Sequence, residues 1–385
     1  MSTAEISSLF VLWSVVTFVL EVPSGAWADT VSRRLLLCLS AIAYGLAFSS
    51  WVLIATSAGF AAGFALWGLS SALASGTFQA LAYDELAAIG AREDYARVIG
   101  VGTSLALVAM ARATLLAAPL VALGGYPLTA WVSVAVCAVQ FFVALSLPST
   151  PAVISAGDIE AAEELSDADL TVGGFPDIET GPDAVRASAV GFVQRYLHAL
   201  RIGTREATRS RVVRGVLASA LLMGMLAFDE YFGLMLGEQG ASPVAIPLLL
   251  VVPTAGQAIG GLLAGRAANW SNDRIGGITV GAGICLAGGA LSGHPAGIVA
   301  VGLGYGALQL AIVVSDVRLQ DSIAQGARAT VTSVAGLLAE VVAVAVFAGF
   351  AWGSHAFSLA TLVAVLAAVV VGLGPLIIRW MPHAK

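Results

Sequence analysis

The chain has 385 residues, of which 58% are hydrophobic and 11% charged; 18 Lys and Arg stand against 24 Asp and Glu, for a formal charge of −6, and the mean hydropathy is +0.91. A water-soluble domain carries about 25% charged residues, so this chain cannot clothe a globule of its length in a solvated surface. The composition excludes a secreted domain, a nucleic-acid binder and a cytosolic enzyme, and at about 20 apolar residues per crossing it fills on the order of eleven membrane helices.

In chain order, apolar segments run over residues 6–24, 35–55, 58–82, 97–122, 127–147, 212–236, 243–265, 276–293, 296–317, 329–352 and 357–379. They are continuous and rich in Gly and Ala, whereas barrel strands alternate in polarity, so the predicted fold is an all-α polytopic membrane protein with eleven spans. Met1–Glu5 has no basic residue, and ten more spans follow the first, so the first span is expected to be retained. Cys38, Cys137 and Cys285 lie singly in apolar runs, with neither disulfide nor metal spacing. No cofactor or metal site and no catalytic group is expected.

Arginines mark every second loop: Arg33 and Arg34 after the first span, Arg92 and Arg97 after the third, Arg186 to Arg214 before the sixth, Arg266 and Arg274 after the seventh, Arg318 and Arg328 after the ninth, with Arg379 and Lys385 at the end. The alternate loops around Gly124, Glu238, His294 and His355 hold no Lys or Arg. By the positive-inside bias the N-terminus faces outward and the C-terminus is cytoplasmic, as expected of a bacterial inner-membrane protein. Arg112 breaks the pattern, lying about 22 Å of helical rise into the fourth span.

The long polar stretch 148–211 separates five spans (residues 1–147) from six (residues 212–385). From Pro148 to Val185 it holds nine acidic residues and no basic one, which reads as a disordered linker. From Arg186 to Arg214 seven arginines accompany Val190, Val193, Leu197 and Leu200 at helical spacing, suggesting either an amphipathic helix on the inner leaflet or a solvated connector.

The two groups of spans echo each other. GAWADTVSRR (Gly25 to Arg34) after the first span matches GLLAGRAANWSNDR (Gly261 to Arg274) after the seventh, and YDEL with Arg97 after the third matches SDVRLQDS with Arg328 after the ninth. A parallel repeat joined by a long loop points to a transporter architecture. The Gly25-x-x-x-Asp29 with Arg33 and Arg34 resembles the signature loop of the major facilitator superfamily. EVPSGAWAD (Glu21 to Asp29), SGTFQALAYDEL (Ser75 to Leu86), the Phe228–Phe232 cluster and RATVTS (Arg328 to Ser333) extend the likeness over essentially the whole chain. Thr30 and Ser32 stand where the family has a basic residue and a second glycine, implying a weaker inner gate. The family has twelve helices as six plus six; by alignment the one without a counterpart here is the first, so Met1 reads as an internal methionine of a longer frame.

The resemblance implies two bundles around a central cavity, no ATP and a small-molecule cargo moved by a monomer among membrane lipids. Polar residues recur on one face of the spans expected to line it: Ser14, Thr17 and Glu21; Trp67, Ser71, Ser75 and Gln79; Thr254, Gln257 and Gly261; Tyr305, Gln309 and Asp316; Ser333, Gly336 and Glu340. Arg112 and Glu340 lie deepest, where ionisable groups are costly. Glu340 is a candidate proton carrier; Arg112 is a candidate for holding an anionic group or pairing with a carboxylate, and a purely structural pair is the competing reading. Substrate or coupling contacts are assigned to Arg112, Glu340, Gln79, Gln257, Tyr305, Gln309 and Trp67. Gating falls to Glu21, Gly25, Asp29, Arg33, Arg34, Asp84, Arg97, Asp316 and Arg328. Asp229 and Glu230 read as an outer gate, a cation-attracting mouth or an exposed pair. The sequence thus predicts a proton-coupled secondary transporter working in efflux or uptake; a transporter-like sensor or a non-transporting truncated remnant is the alternative.

Overall fold

A computed structural model describes residues 1–91, 94–148, 210–322 and 328–382; the side chains of residues 21–30, of Arg328 and of a few others are not among what it describes. The predicted gating residues Glu21, Gly25, Asp29 and Arg328, with the acidic linker and the basic amphipathic segment, therefore lie outside the described residues.

Among the described residues the chain is helical and has no strand. The first half holds α1 (Thr3–Thr30), α2 (Arg33–Leu53), α3 (Ser57–Ala74), α4 (Thr77–Ala88) and α5 (Tyr95–Ser146). The second half holds α6 (Ser210–Gly224), a 3₁₀ segment (Met225–Tyr231), α7 (Phe232–Glu238), α8 (Ala245–Ala267), α9 (Asn272–Leu291), α10 (Ile298–Ser322), α11 (Arg328–Gly353) and α12 (Leu359–Trp380). Each predicted apolar segment falls on helix, as backbone groups without water require. Ten described stretches are long and apolar enough to cross a membrane, one of them the 39-residue Val108–Ser146. That stretch turns at Gly124 and Gly125, where Gly125 has φ 65, so the fourth and fifth predicted segments are two arms of α5.

Two predicted spans are interrupted. The third breaks between α3 and α4, where Gly76 has φ +67. The sixth passes through the 3₁₀ segment, just after Gly224 lets α11 approach so closely that an added Cβ would strike Val342. Side-chain caps close some of the loops: Thr56 accepts from the Gly59 amide, and Ser358 from that of Thr361.

The halves repeat their packing. In the first, α1 lies on α3 and α2 on both α3 and α5; in the second, α8 lies on α10 and α9 on both α10 and α12. Glycines let α8 and α10 touch backbone to backbone: a Cβ at Gly256 would collide with the Gly302 carbonyl, and one at Gly260 with that of Gly306. On α9 Gly276 and Gly283 pack closely against α12 and Gly289 against Gly297 and Val301, whereas Gly277 and Gly281 face open space. The principal core belongs to the second half, around Phe228, Tyr231, Phe232, Phe347 and Phe350, with Phe10 entering from α1.

Candidate functional site

The described hydrogen bonds and ring contacts that join the halves gather at one end, near the start of α1. Tyr231 Oη donates to Ser7 Oγ at 2.9 Å. Phe10 stacks on Phe347 with centroids 5.2 Å apart and meets Tyr231 edge-on at 5.9 Å, while Tyr231 stacks on Phe350 at 3.8 Å. Ser7 and Tyr231 are fully buried, so this contact is dry. Further helix contacts run between α1 and α11 and between α5 and α8.

Directly beside this seal, the 3₁₀ segment presents Asp229 and Glu230. Both residues are exposed to solvent, between the buried Phe228 and Tyr231. Tyr305 Oη, on buried α10, donates to Asp229 Oδ2 at 2.7 Å. Phe228 and Phe232 pack edge-on against the Tyr305 ring at 6.0 and 5.5 Å and hold it in place. The Glu230 carboxylate makes no hydrogen bond or ion pair with a described residue. Gln257 Nε2 donates weakly to Gln309 Oε1 at 3.4 Å, joining α8 to α10, and both residues are half-buried.

At the opposite, arginine-rich end each half carries its own latch. Arg33, 5% exposed at the start of α2, donates to the Ala80 carbonyl at 2.8 Å and forms an ion pair with Asp84 on α4. In the second half Arg318, 3% exposed near the end of α10, donates to Asn272 Oδ1 at 2.6 Å and to the Ala268 carbonyl at 2.9 Å; Asn272 in turn donates to the Met381 carbonyl at 2.7 Å. The first latch is ionic. In the second, the oxygens that accept from the arginine are neutral.

Several of the predicted residues meet: Asp229, next to Glu230, accepts from Tyr305, Gln257 pairs with Gln309, and Trp67 joins an aromatic cluster with Trp13, Tyr44, Trp51 and Phe64. Arg33 and Asp84 also meet, but within one half, and Arg97, also assigned to gating, is exposed. Arg34 reaches only the Leu147 carbonyl, at 3.4 Å. Gln79 is exposed on α4 and Asp316 half-buried on α10. Arg112 is exposed on α5 with no hydrogen bond or ion pair to a described residue, and so none to Glu340, which is half-buried on α11 and engaged with a neighbour. Sequence reasoning missed Ser7 and Phe10, which face the second half, and the Arg318–Asn272 latch; the repeat pairing of α2 with α9 was the signal for the latter.

A family model described as Major Facilitator Superfamily matches residues 1–348. Among solved structures, the crystal structure of nucleoside transporter NupG is similar, with a TM-score of 0.67 at 12% identity, covering 99% of this chain and 91% of that one. The crystal structure of a POT family transporter in complex with thioalcohol conjugated peptide is also similar, with a TM-score of 0.59 at 11% identity, covering 98% and 88% of the two chains. At such low identity these TM-scores show a shared fold and no more. No curated protein matches the sequence.

Proposed function

Because the chain belongs to the major facilitator superfamily, and is therefore a membrane transporter rather than an enzyme, we propose that it moves a small molecule as a secondary transporter by alternating access. In this reading residues 1–147 and 212–385 are the two rocking bundles and residues 148–211 the cytoplasmic connection between them. The N-terminus faces outward, the C-terminus lies in the cytoplasm of a bacterial cell, and the working unit is a monomer in the inner membrane. One observation carries the proposal. The halves meet through the dry Ser7, Phe10, Tyr231, Phe347 and Phe350 contact at one end, while the Asp229 and Glu230 carboxylates stay wet beside it. A contact built from one hydrogen bond and a few rings is small enough to open and close, and the latches within each half keep each bundle rigid as it moves.

Proton coupling belongs to the same proposal. In this reading Glu340, Asp229 and Glu230 exchange protons as alternating access changes their contact with water, because carboxylates at membrane depth are costly when charged. Spin labels test the rocking in a background lacking Cys38, Cys137 and Cys285. One pair, at Ala4 and Trp352, spans the sealed end; another, at Ile89 and Arg266, spans the arginine end. In lipid nanodiscs each pair is expected to show two distance populations that shift in opposite senses between acidic and alkaline buffer. One unchanging distance at both ends overturns alternating access.

A further inference from the structure

Where α1 runs against α11, small side chains at Ala4, Ala348 and Ala351 leave a cavity of about 780 Å³ between the halves. Glu5, Ser8 and Val11 line it from α1, and Trp352 and His355 from the end of α11 and the turn that follows. Seal and cavity lie back to back on the same two helices. Ser7 and Phe10 of α1 and Phe347 and Phe350 of α11 are buried in the seal, and their neighbours Ser8, Val11, Ala348 and Ala351 face the cavity.

Polarity in this cavity is graded along the helices. Its rim holds one carboxylate and one imidazole. Glu5 Oε2 accepts from the Ser2 amide at 2.7 Å and from the Ser2 hydroxyl at 3.2 Å, while Glu5 Oε1 and the His355 ring make no hydrogen bond with a described residue. Trp352, at 83%, is the most exposed large apolar side chain described, and an open indole at the end of a span marks the level of the lipid headgroups. Toward the middle of the spans the lining becomes Val11 and Ala348. The same helix faces continue as exposed Val15 and Val19 on α1 and exposed Ala345 and Val341 on α11. A polar rim at the membrane surface with apolar stripes beneath it matches a phospholipid, head above chain.

Charge decides the kind of head. Glu5 is the only acidic residue lining the cavity, no Lys or Arg lines it, and no described ion pair neutralises Glu5. An anionic headgroup would be set against that carboxylate, whereas an ammonium pairs with it and is attracted to the face of an indole such as Trp352. The His355 ring carries an N–H that a phosphate oxygen can accept. We propose that the cavity seats a zwitterionic phospholipid with a primary ammonium in its headgroup, the ammonium on Glu5 and the phosphate on His355, so that one lipid touches both halves at the sealed end. The inference rests on the chain spanning a membrane and is independent of what it transports.

The test uses the full chain, stripped of lipid in detergent and titrated with phosphatidylethanolamine or with phosphatidylglycerol of the same acyl chains, bound lipid being counted by native mass spectrometry. Phosphatidylethanolamine is expected to bind at concentrations lower by about tenfold, the factor that corresponds to about 1.4 kcal/mol. Glu5→Gln, at an exposed position, is expected to erase this preference. Ala348→Trp fills the cavity from an equally exposed position and is expected to weaken both lipids. Asp273→Asn removes an exposed carboxylate at the arginine-rich end and is expected to change neither. The inference is overturned if the two lipids bind alike, if the preference survives Glu5→Gln or is equally lost in Asp273→Asn, or if Ala348→Trp holds both lipids as before. Water-soluble phosphoethanolamine in excess has no chain for the apolar stripes and is expected to leave the lipid in place; full displacement by it would overturn the lipid in favour of a soluble amine.

Discussion

In the second half, 56% of the apolar window within Val212–Glu238 is buried, whereas in the first half the window within Val108–Ser146 is 11% buried, although the helices around them repeat the same pairings. The difference lies in α6 with its 3₁₀ extension, which packs against α10, α11 and α12 and fills the middle of its bundle. No described helix of the first half takes the equivalent place. Leu105, Leu116, Leu123, Val136 and Phe142 of α5 are accordingly exposed, at 60% or more, where the second half has Phe228, Phe232 and Met235 at 1% or less. A repeated chain trace therefore does not guarantee a repeated core. The half that encloses a central helix carries most of the apolar stabilisation, and the other leaves a greasy face to whatever surrounds it.

Matched phenylalanines test this contrast most severely. Phe10→Ala opens a void in the shared aromatic core and is expected to cost about 3–5 kcal/mol. Phe142→Ala, at a ring 66% exposed, should stay within about 0.5 kcal/mol. Thermal unfolding in one detergent measures both, and equal losses would mean that the first half has a packed face after all. The ionic latch comes next. Asp84→Asn leaves the Arg33 guanidinium buried without its counter-charge, for which about 3 kcal/mol is expected, read as a lower melting temperature with the second half's own transition unmoved.

Helix contact gives a smaller contrast. Gly260→Leu drives a side chain into the Gly306 carbonyl, and overpacking of this kind costs about 1–3 kcal/mol or more. Gly281→Leu, with nothing close to its position, should leave the melting curve near the parent's. If the two variants melt alike, α8 and α10 are not as tightly held as their glycines imply.

The spans were legible because a backbone stripped of water has only the helix to turn to. Other features were not, for reasons visible in particular residues. Small residues at 276, 277, 281 and 283 allow two packing faces on α9, and only the position of α12 selects Gly276 and Gly283. The sixth apolar segment read as one continuous span, whereas a 3₁₀ segment carries Asp229 and Glu230. Asp84, Arg33 and Arg97 were grouped as gating residues without a pairing, and the turn at Gly76 is what carries α4 to Arg33. Tyr305, Trp67 and the Asp229 and Glu230 carboxylates were singled out as polar or amphipathic groups in apolar runs. Tyr44 and Trp13 were not, since an isolated ring in a membrane span looks the same whether it faces lipid or a ligand.

The smallest expected effect concerns the second latch, where the halves solve one problem with different chemistry. Arg33 meets a carboxylate; Arg318 meets the Asn272 amide and backbone carbonyls. Asn272→Asp would give the second half the ionic solution of the first. The new carboxylate keeps the oxygen that accepts from Arg318 but loses the Nδ2 donor to the Met381 carbonyl, so a gained charge pair offsets a lost neutral bond. Buried pairs recover little beyond their desolvation cost, and a neutral bond is worth about 0.5–1.5 kcal/mol. The balance should therefore fall within about 1 kcal/mol of zero. A large gain in melting temperature would show that Arg318 is under-compensated in the native chain. A large loss would show that the Asn272 donor, by holding the end of α12, is what keeps that latch closed.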